Sequence, residues 1–190
     1  MEVVKQSIVN VTTRAQWRKW LERNWKSKTE AWLISPKLSS GKKRIPYNDV
    51  VEEALCFGWI DSVNKTYDEL HTIQRFTPRK KNSPYSQPNI ERLRRLAQEK
   101  LVHPEILPLI KSLLTEKYSP PEDIIKILKK DKVVWKNFSD FSETYVRVRL
   151  AYIDGARNRP EEFKKRLQNF IAKTKENKMI AGYGGVGMYY

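Results

Sequence analysis

Apolar residues recur at intervals of three and four along much of the chain and alternate along a few short runs near its start. Ser7 to Val11 alternates weakly and predicts a short strand. Thr13-Arg-Ala-Gln16 has the spacing of a capping box, and the helix behind it carries Trp17, Trp20, Leu21 and Trp25 on one stripe. Tryptophans at helical spacing read as core rather than as a stacking platform. Glu30 to Ser35 is an apolar and aromatic run, a strand that Pro36 ends. Lys37 to Arg44 holds Gly41 and basic residues and reads as an exposed loop.

The central helix starts near Tyr47 or Asn48 and buries Val50, Val51, Ala54, Leu55 and Phe57. Gly58 stands where a helix closes in the left-handed conformation. Trp59 to Val63 then alternates as a strand, and Leu70 to Phe76 as another. The connection between these two is too short for a crossover helix, so they pair antiparallel. Leu70, Thr72, Gln74 and Phe76 share one face of the second strand, and His71, Ile73 and Arg75 the other. Thr77-Pro78 ends it, because proline has no amide proton for the ladder.

Helices follow. One begins at Ser83 or Ser86 and packs Ile90, Leu93, Leu96, Ala97 and Leu101, leaving Arg92, Arg94, Arg95 and Lys100 outward; another spans Glu105 to Lys117. Past Ser119-Pro120-Pro121 the pattern is helical throughout, with starts at Ser119 or Pro121, Ser142 and Pro160 and an aromatic cluster at Trp135, Phe138 and Phe141. Met179 to Tyr190 has no periodicity and holds four of the seven glycines, which predicts a loose tail with tyrosines available to dock. The fold class is α+β: a small, mostly antiparallel sheet packed with helices, then an all-helical segment. The expected divisions are residues 1–118, 119–178 and the tail 179–190.

Charge changes the picture of the surface. The net charge of +15 attracts polyanions such as RNA, DNA or anionic headgroups. No apolar run approaches the ~20 residues of a membrane span. MEVVKQSIVNVTT lacks a basic start followed by an apolar block, and one cysteine permits no internal disulfide. A cytoplasmic location is expected.

Candidate chemistry concentrates between Cys56 and Asn89. Arg75 and Arg79 stand near Asp61 in a strand–turn geometry, Trp59 or Tyr85 supplies a ring to stack on a guanidinium, and Asn89 adds a neutral donor and acceptor. Two readings remain open there. In one, Asp61 pairs with an arginine in an internal network. In the other, Trp59, Asp61, Arg75, Arg79, Tyr85 and Asn89 bind a small anionic ligand. A basic stripe of Arg75, Arg79, Lys80, Lys81, Arg92 and Arg95 with interleaved tyrosines would instead suit nucleic acid. Catalytic residues are not assigned: Cys56 sits late in an apolar helix, where a thiolate gains nothing, and Glu52 and Glu53 are adjacent and point to different sides. Two histidines and one cysteine, widely spaced, form no zinc pattern, and no glycine loop cradles a phosphate. No metal or cofactor is expected.

The segments ALCFGWIDS and QRFTPRKKNS, with the downstream YVRVRLAYIDGARNRPEEFKKRLQNFIAKTKENK, resemble the YdeI/OmpD-associated family, from the Trp17 helix to about Lys178. The C-terminal helices look like its bacteriocin-protection domain. The resemblance implies resistance to cationic antimicrobial peptides and association with an outer-membrane porin. Two departures stand out: Ser83-Pro84-Tyr85-Ser86 has tyrosine where the family has tryptophan, and Lys100-Leu-Val-His-Pro104 replaces a glycine-bearing turn. The expected function is non-enzymatic binding or stress protection, with RNA or DNA binding as the alternative and an enzyme using the same pocket as the second alternative. The sequence names no protein partner.

Overall fold

The computed structural model describes residues 7–183 and 187. The described residues form an α+β fold with four strands and eight α-helices: β1 (Ile8–Val9), α1 (Arg14–Asn24), β2 (Ala31–Pro36), α2 (Tyr47–Cys56), β3 (Trp59–Thr66), β4 (His71–Pro78), α3 (Gln87–Gln98), α4 (Leu107–Thr115), α5 (Glu122–Leu128), α6 (Lys132–Asp140), α7 (Glu143–Asp154) and α8 (Pro160–Lys175). The chain divides into two compact units. The first is residues 1–85 and 92–114, and the second is residues 86–91 and 115–190.

In the first unit the strands lie in the order β1-β2-β4-β3. β1 runs parallel to β2, while β2 and β3 both run antiparallel to β4. The sheet is thus mixed, with its hairpin pair antiparallel as the short connection requires. A bulge in β3 between Asp61 and Asn64 breaks the simple alternation read from Trp59 to Val63. Pro78 does end β4, as the partner of Trp59 in the last pair of the register.

The capping box at the start of α1 is complete: Gln16 N donates to the Thr13 hydroxyl, and Thr12 and Thr13 amides donate to the Gln16 side chain. Trp17 and Leu21 of α1 are fully buried, with Trp20 stacked on Trp17 at 5.3 Å. Together with Leu33, Phe76, Val51, Leu55, Leu93 and Leu96 they build one core on one face of the sheet. Trp32 and Ile73 are buried outside that cluster; β2 and β4 place their neighbours Arg75 and Ile34 directly opposite them. Lys37 to Arg44 is irregular apart from a short 3-10 turn at Leu38–Ser40.

Helix α2 ends at Cys56, and Gly58 follows at φ +70° with its amide on the Leu55 carbonyl. The left-handed conformation favours glycine, and a Cβ there would also press on Ile106 Cδ1 at 3.0 Å. On α3, Arg92 is a correction to the expected outward row: only 2% exposed, its Nη2 donates to Asn48 Oδ1 at 2.9 Å. The long side chain can cross the helix–helix contact and find a polar partner, which periodicity does not register.

The second unit is helical throughout its regular structure. Asp131 caps α6 through the amides of Val133 and Val134, and Ser142 caps α7 through that of Tyr145. Ile124, Leu128, Val134, Phe138, Tyr145, Leu150, Ile153 and Phe170 form its core. Glu91 is nearly buried and accepts both Nε and Nη2 of Arg147, a fork-to-carboxylate pair. Of the expected loose tail, Ile180 and Tyr183 dock: Ile180 N donates to Tyr145 Oη at 2.9 Å and the Tyr183 ring lies 4.2 Å from that of Tyr152. Tyr189 and Tyr190 lie outside the described residues.

Candidate functional site

Two segments far apart along the chain meet where α2 ends. Arg79 N donates to the Gly58 carbonyl at 2.9 Å, one step beyond the Trp59–Pro78 pair. The left-handed turn at Gly58 redirects the chain from α2 into β3. Pro78 then ends the ladder, so the chain leaves β4 beside that turn.

Arg79 is the distinctive side chain of this junction. Its guanidinium sits 3.7 Å from the centroid of the Tyr85 ring. Nη2 donates to the carbonyls of Ser83 (3.2 Å) and Pro84 (2.7 Å), so the loop from 80 to 85 folds around it. Nε is buried with no acceptor. Among the described residues no carboxylate pairs with it, and burial lowers its pKa, with Tyr85 opposing that shift. Burial correspondingly raises the Tyr85 phenol, and Arg79 works against it. The guanidinium thus rests against an aromatic ring, with Nη2 on two backbone carbonyls and, among the described residues, no carboxylate beside it.

The other expected site residues have different surroundings. Trp59 is fully buried, and its indole N–H donates to the Trp25 carbonyl at 3.2 Å. Its ring packs edge-on against Trp20, so it supports the junction from beneath and does not stack on a solute. Asp61 accepts from Tyr47 Oη (3.0 Å) and Gln74 Nε2 (2.9 Å), both neutral groups. The Tyr47 phenol is pushed up to about 12, first by burial and then by that carboxylate. Arg75 is bound to Glu30 at 2.8 Å. Asn89 falls in the second unit. Of the six residues, Arg79 and Tyr85 are thus in direct contact.

The basic stripe is divided in the same way. Arg92 is buried against Asn48, Arg75 is paired with Glu30, and Arg95 bridges Glu52 (2.7 Å) and Glu99 (2.8 Å). Lys80 and Lys81 stay exposed beside Arg79.

A carboxylate cluster lies on α2 where adjacency suggested two carboxylates facing apart. Glu52 and Glu53 are only 1% and 3% exposed. Arg14 spans them, with Nε on Glu53 at 2.6 Å, Nη2 on Glu52 at 3.1 Å and Nη1 on Asp49 at 2.9 Å. Arg18 reaches Glu53 at 2.8 Å and the Leu101 carbonyl at 2.9 Å. The forks of α1 and α3 gather both carboxylates, since each fork is wide enough to straddle neighbouring positions. The sequence signal was two glutamates flanked by apolar residues on a buried helix. One turn later, Cys56 is fully buried and its thiol is pushed up to about 12, by burial first and the Glu53 charge second, so it is protonated at neutral pH. This cluster is a fastening between helices, with neither a free base nor a thiolate to react.

Among the described residues, no three His, Cys, Asp or Glu side chains gather in a way that could hold a metal ion, and no helix is long and apolar enough to cross a membrane.

Comparison with known families resolves the chain into two stretches. Residues 9–108, just over half of it, match the model described as a domain of unknown function, DUF8412. Residues 117–177 match the model described as bacteriocin-protection, YdeI or OmpD-associated. The ALCFGWIDS and QRFTPRKKNS segments therefore fall within the first match and the α5–α8 helices within the second. No curated protein and no solved structure matches the chain.

Proposed function

Since the chain belongs to the family defined by the domain of unknown function DUF8412 and carries a bacteriocin-protection, YdeI or OmpD-associated segment, we propose that it is a non-enzymatic binding protein of the protection type whose N-terminal unit takes up a small anion at Arg79 and Tyr85. The observation that carries this reading is the state of Arg79: a half-buried guanidinium on an aromatic face, with an unsatisfied Nε and no carboxylate among the described residues. A desolvated cation of this kind is costly until an anion meets it, which favours binding of a carboxylate or phosphate oxygen. Cys56 and the Glu52–Glu53 pair supply no competing chemistry, being protonated in the one case and paired in the other.

The same charge bears on protection. A surface with net charge +15 repels cationic peptides at long range, so protection by sequestering such peptides directly runs against the field. An anionic ligand is the partner that the electrostatics favour.

A thermal-unfolding series with phosphate, sulfate, citrate and acetate tests this reading. Saturable stabilisation by at least one of them, of about 5 °C when the anion is in large excess over its Kd, is expected for the wild type and not for Arg79→Ala. Equal stabilisation of both would remove Arg79 from the reading. The nucleic-acid alternative rests on Arg79, Lys80 and Lys81 alone among the original six. It calls for a shallow salt dependence, with log K falling by about 3 per decade of salt, and for equal loss on Lys80→Ala and Lys81→Ala.

A further inference from the structure

The second unit contains a cavity of about 380 Å³ between α7, α8 and the segment around Ile180 to Tyr183. That volume falls within the ~300–1,000 Å³ of small-molecule sites. Its walls combine two chemistries.

One wall is aromatic. The Tyr152 ring has two neighbours, with the Arg166 guanidinium 3.7 Å from its centroid and the tilted Tyr183 ring 4.2 Å away. Phe170 lines the same space and is almost fully buried. Tyr183 adopts φ +55°, a left-handed conformation that a bulky residue seldom takes, and does so while its ring rests on Tyr152.

The other wall is cationic. Arg149 is 3% exposed and lines the cavity. Its Nη2 donates to the carbonyls of Ile180 and of Gly182, the latter at 2.9 Å. Nε has no acceptor, and among the described residues no carboxylate pairs with this guanidinium. Tyr145 also stands beside this guanidinium, its ring centroid 5.7 Å away, and these contacts still occupy only part of a five-donor fork. Arg166 differs: Glu162 neutralises it at 2.7 Å and the Tyr152 carbonyl takes Nη1 at 2.7 Å. Arg166 therefore serves as a stacking surface, and Arg149 is a cation without a carboxylate partner among the described residues.

We propose that this cavity is a second binding site, for a small organic anion with one flat apolar ring, held by Arg149 at its charged end and by Tyr152 and Tyr183 along its face. The site is independent of the Arg79 junction and does not rest on the function proposed for it. A ring slides against the two tyrosines with little ordering cost, because both are already in contact. The anionic end meets the unused donors of Arg149, an arrangement that a neutral ring cannot reward.

Isothermal titration of the full-length chain with benzoate, 4-hydroxybenzoate, benzyl alcohol and inorganic phosphate tests this. Saturable binding of an aromatic carboxylate that Tyr183→Ala weakens is expected, with benzyl alcohol weaker by about tenfold or more and with phosphate, whose heat Tyr183→Ala leaves unchanged, unable to compete for this site. Tyr183→Ala, at a partly exposed position, is expected to weaken the aromatic anion about tenfold while leaving the unfolding temperature of the chain unchanged. Arg149→Met is expected to abolish the preference for anion over alcohol. Binding of alcohol as tight as that of benzoate overturns the proposal. So does undiminished binding by Tyr183→Ala, or no heat with any aromatic carboxylate up to about 10 mM.

Discussion

Arg79 and Tyr85 are six positions apart, yet the guanidinium of one lies 3.7 Å from the ring centroid of the other, with the Ser83 and Pro84 carbonyls holding it there. The loop is therefore closed on its own arginine before any solute arrives. A partly desolvated pair of this kind contributes about 1–2 kcal/mol. Tyr85→Phe is expected to retain both stability and anion-dependent stabilisation, because the π face remains. Tyr85→Ala is expected to lose about 1–2 kcal/mol and most of the anion response. Chemical unfolding with and without phosphate separates these outcomes.

Glu53 receives Arg14 and Arg18 from α1, and its side chain is 4% exposed. Glu53→Gln leaves two guanidiniums short of a charge that burial requires. The arginines are about a third exposed, so the cost falls below the ~3–5 kcal/mol of a fully buried pair, at about 2–3 kcal/mol. Glu22→Gln, on a half-exposed partner of Arg18 at 3.4 Å, is expected to cost less than about 0.5 kcal/mol. Urea unfolding of the two variants measures the contrast.

Cys56 is expected to resist a thiol reagent at pH 8 in the folded protein and to react at once in denaturant, because its thiol is raised to about 12 and is buried. The linkage runs one way. A thiol whose folded pKa lies above its unfolded value of ~8.5 binds its proton more tightly in the native state. Its contribution is complete below about pH 8.5 and declines as pH rises toward 12. Stability of the wild type relative to Cys56→Ala should therefore shrink across that window, as measured by unfolding at stepped pH.

Asp131 lies at the start of α6, where Lys175 first, and the Val134 and Val133 amides with it, hold its carboxyl below the usual carboxylate range. A depressed folded pKa gives stability that is present above the unfolded value of ~3.9 and is lost as pH falls through the folded one. Melting followed by helical circular dichroism should show an acid-side decline that is smaller in Asp131→Asn. That variant keeps a capping oxygen but cannot ionise.

Much of this architecture was legible along the chain. The Thr13 capping box, the left-handed Gly58, the Pro78 stop and the antiparallel β3–β4 pair each depend on residues within a few positions of one another. Local spacing decides such features, because a helix cap or a tight connection is settled by the conformations of its immediate neighbours. The amphipathic stripes of α1 and α2 were equally readable, and so was the burial of Trp17 and Leu55.

The charged side chains were not legible in this way. Glu52 and Glu53 looked like neighbours facing apart, and only the approach of Arg14 and Arg18, 39 and 35 residues away from Glu53, made them one buried cluster. Arg92 looked outward until Asn48, 44 residues away, gave it a partner. The same holds for Arg149, whose carbonyl partners among the described residues, those of Ile180 and Gly182, stand more than thirty positions along the chain from it. The sequence by itself determined which segments are helix or strand and which faces are apolar, since period and capping act over a few residues. Tertiary structure decided which charges are neutralised and which are left waiting. A long side chain's partner is set by what is brought near it in space, and the chain carries no local record of that meeting.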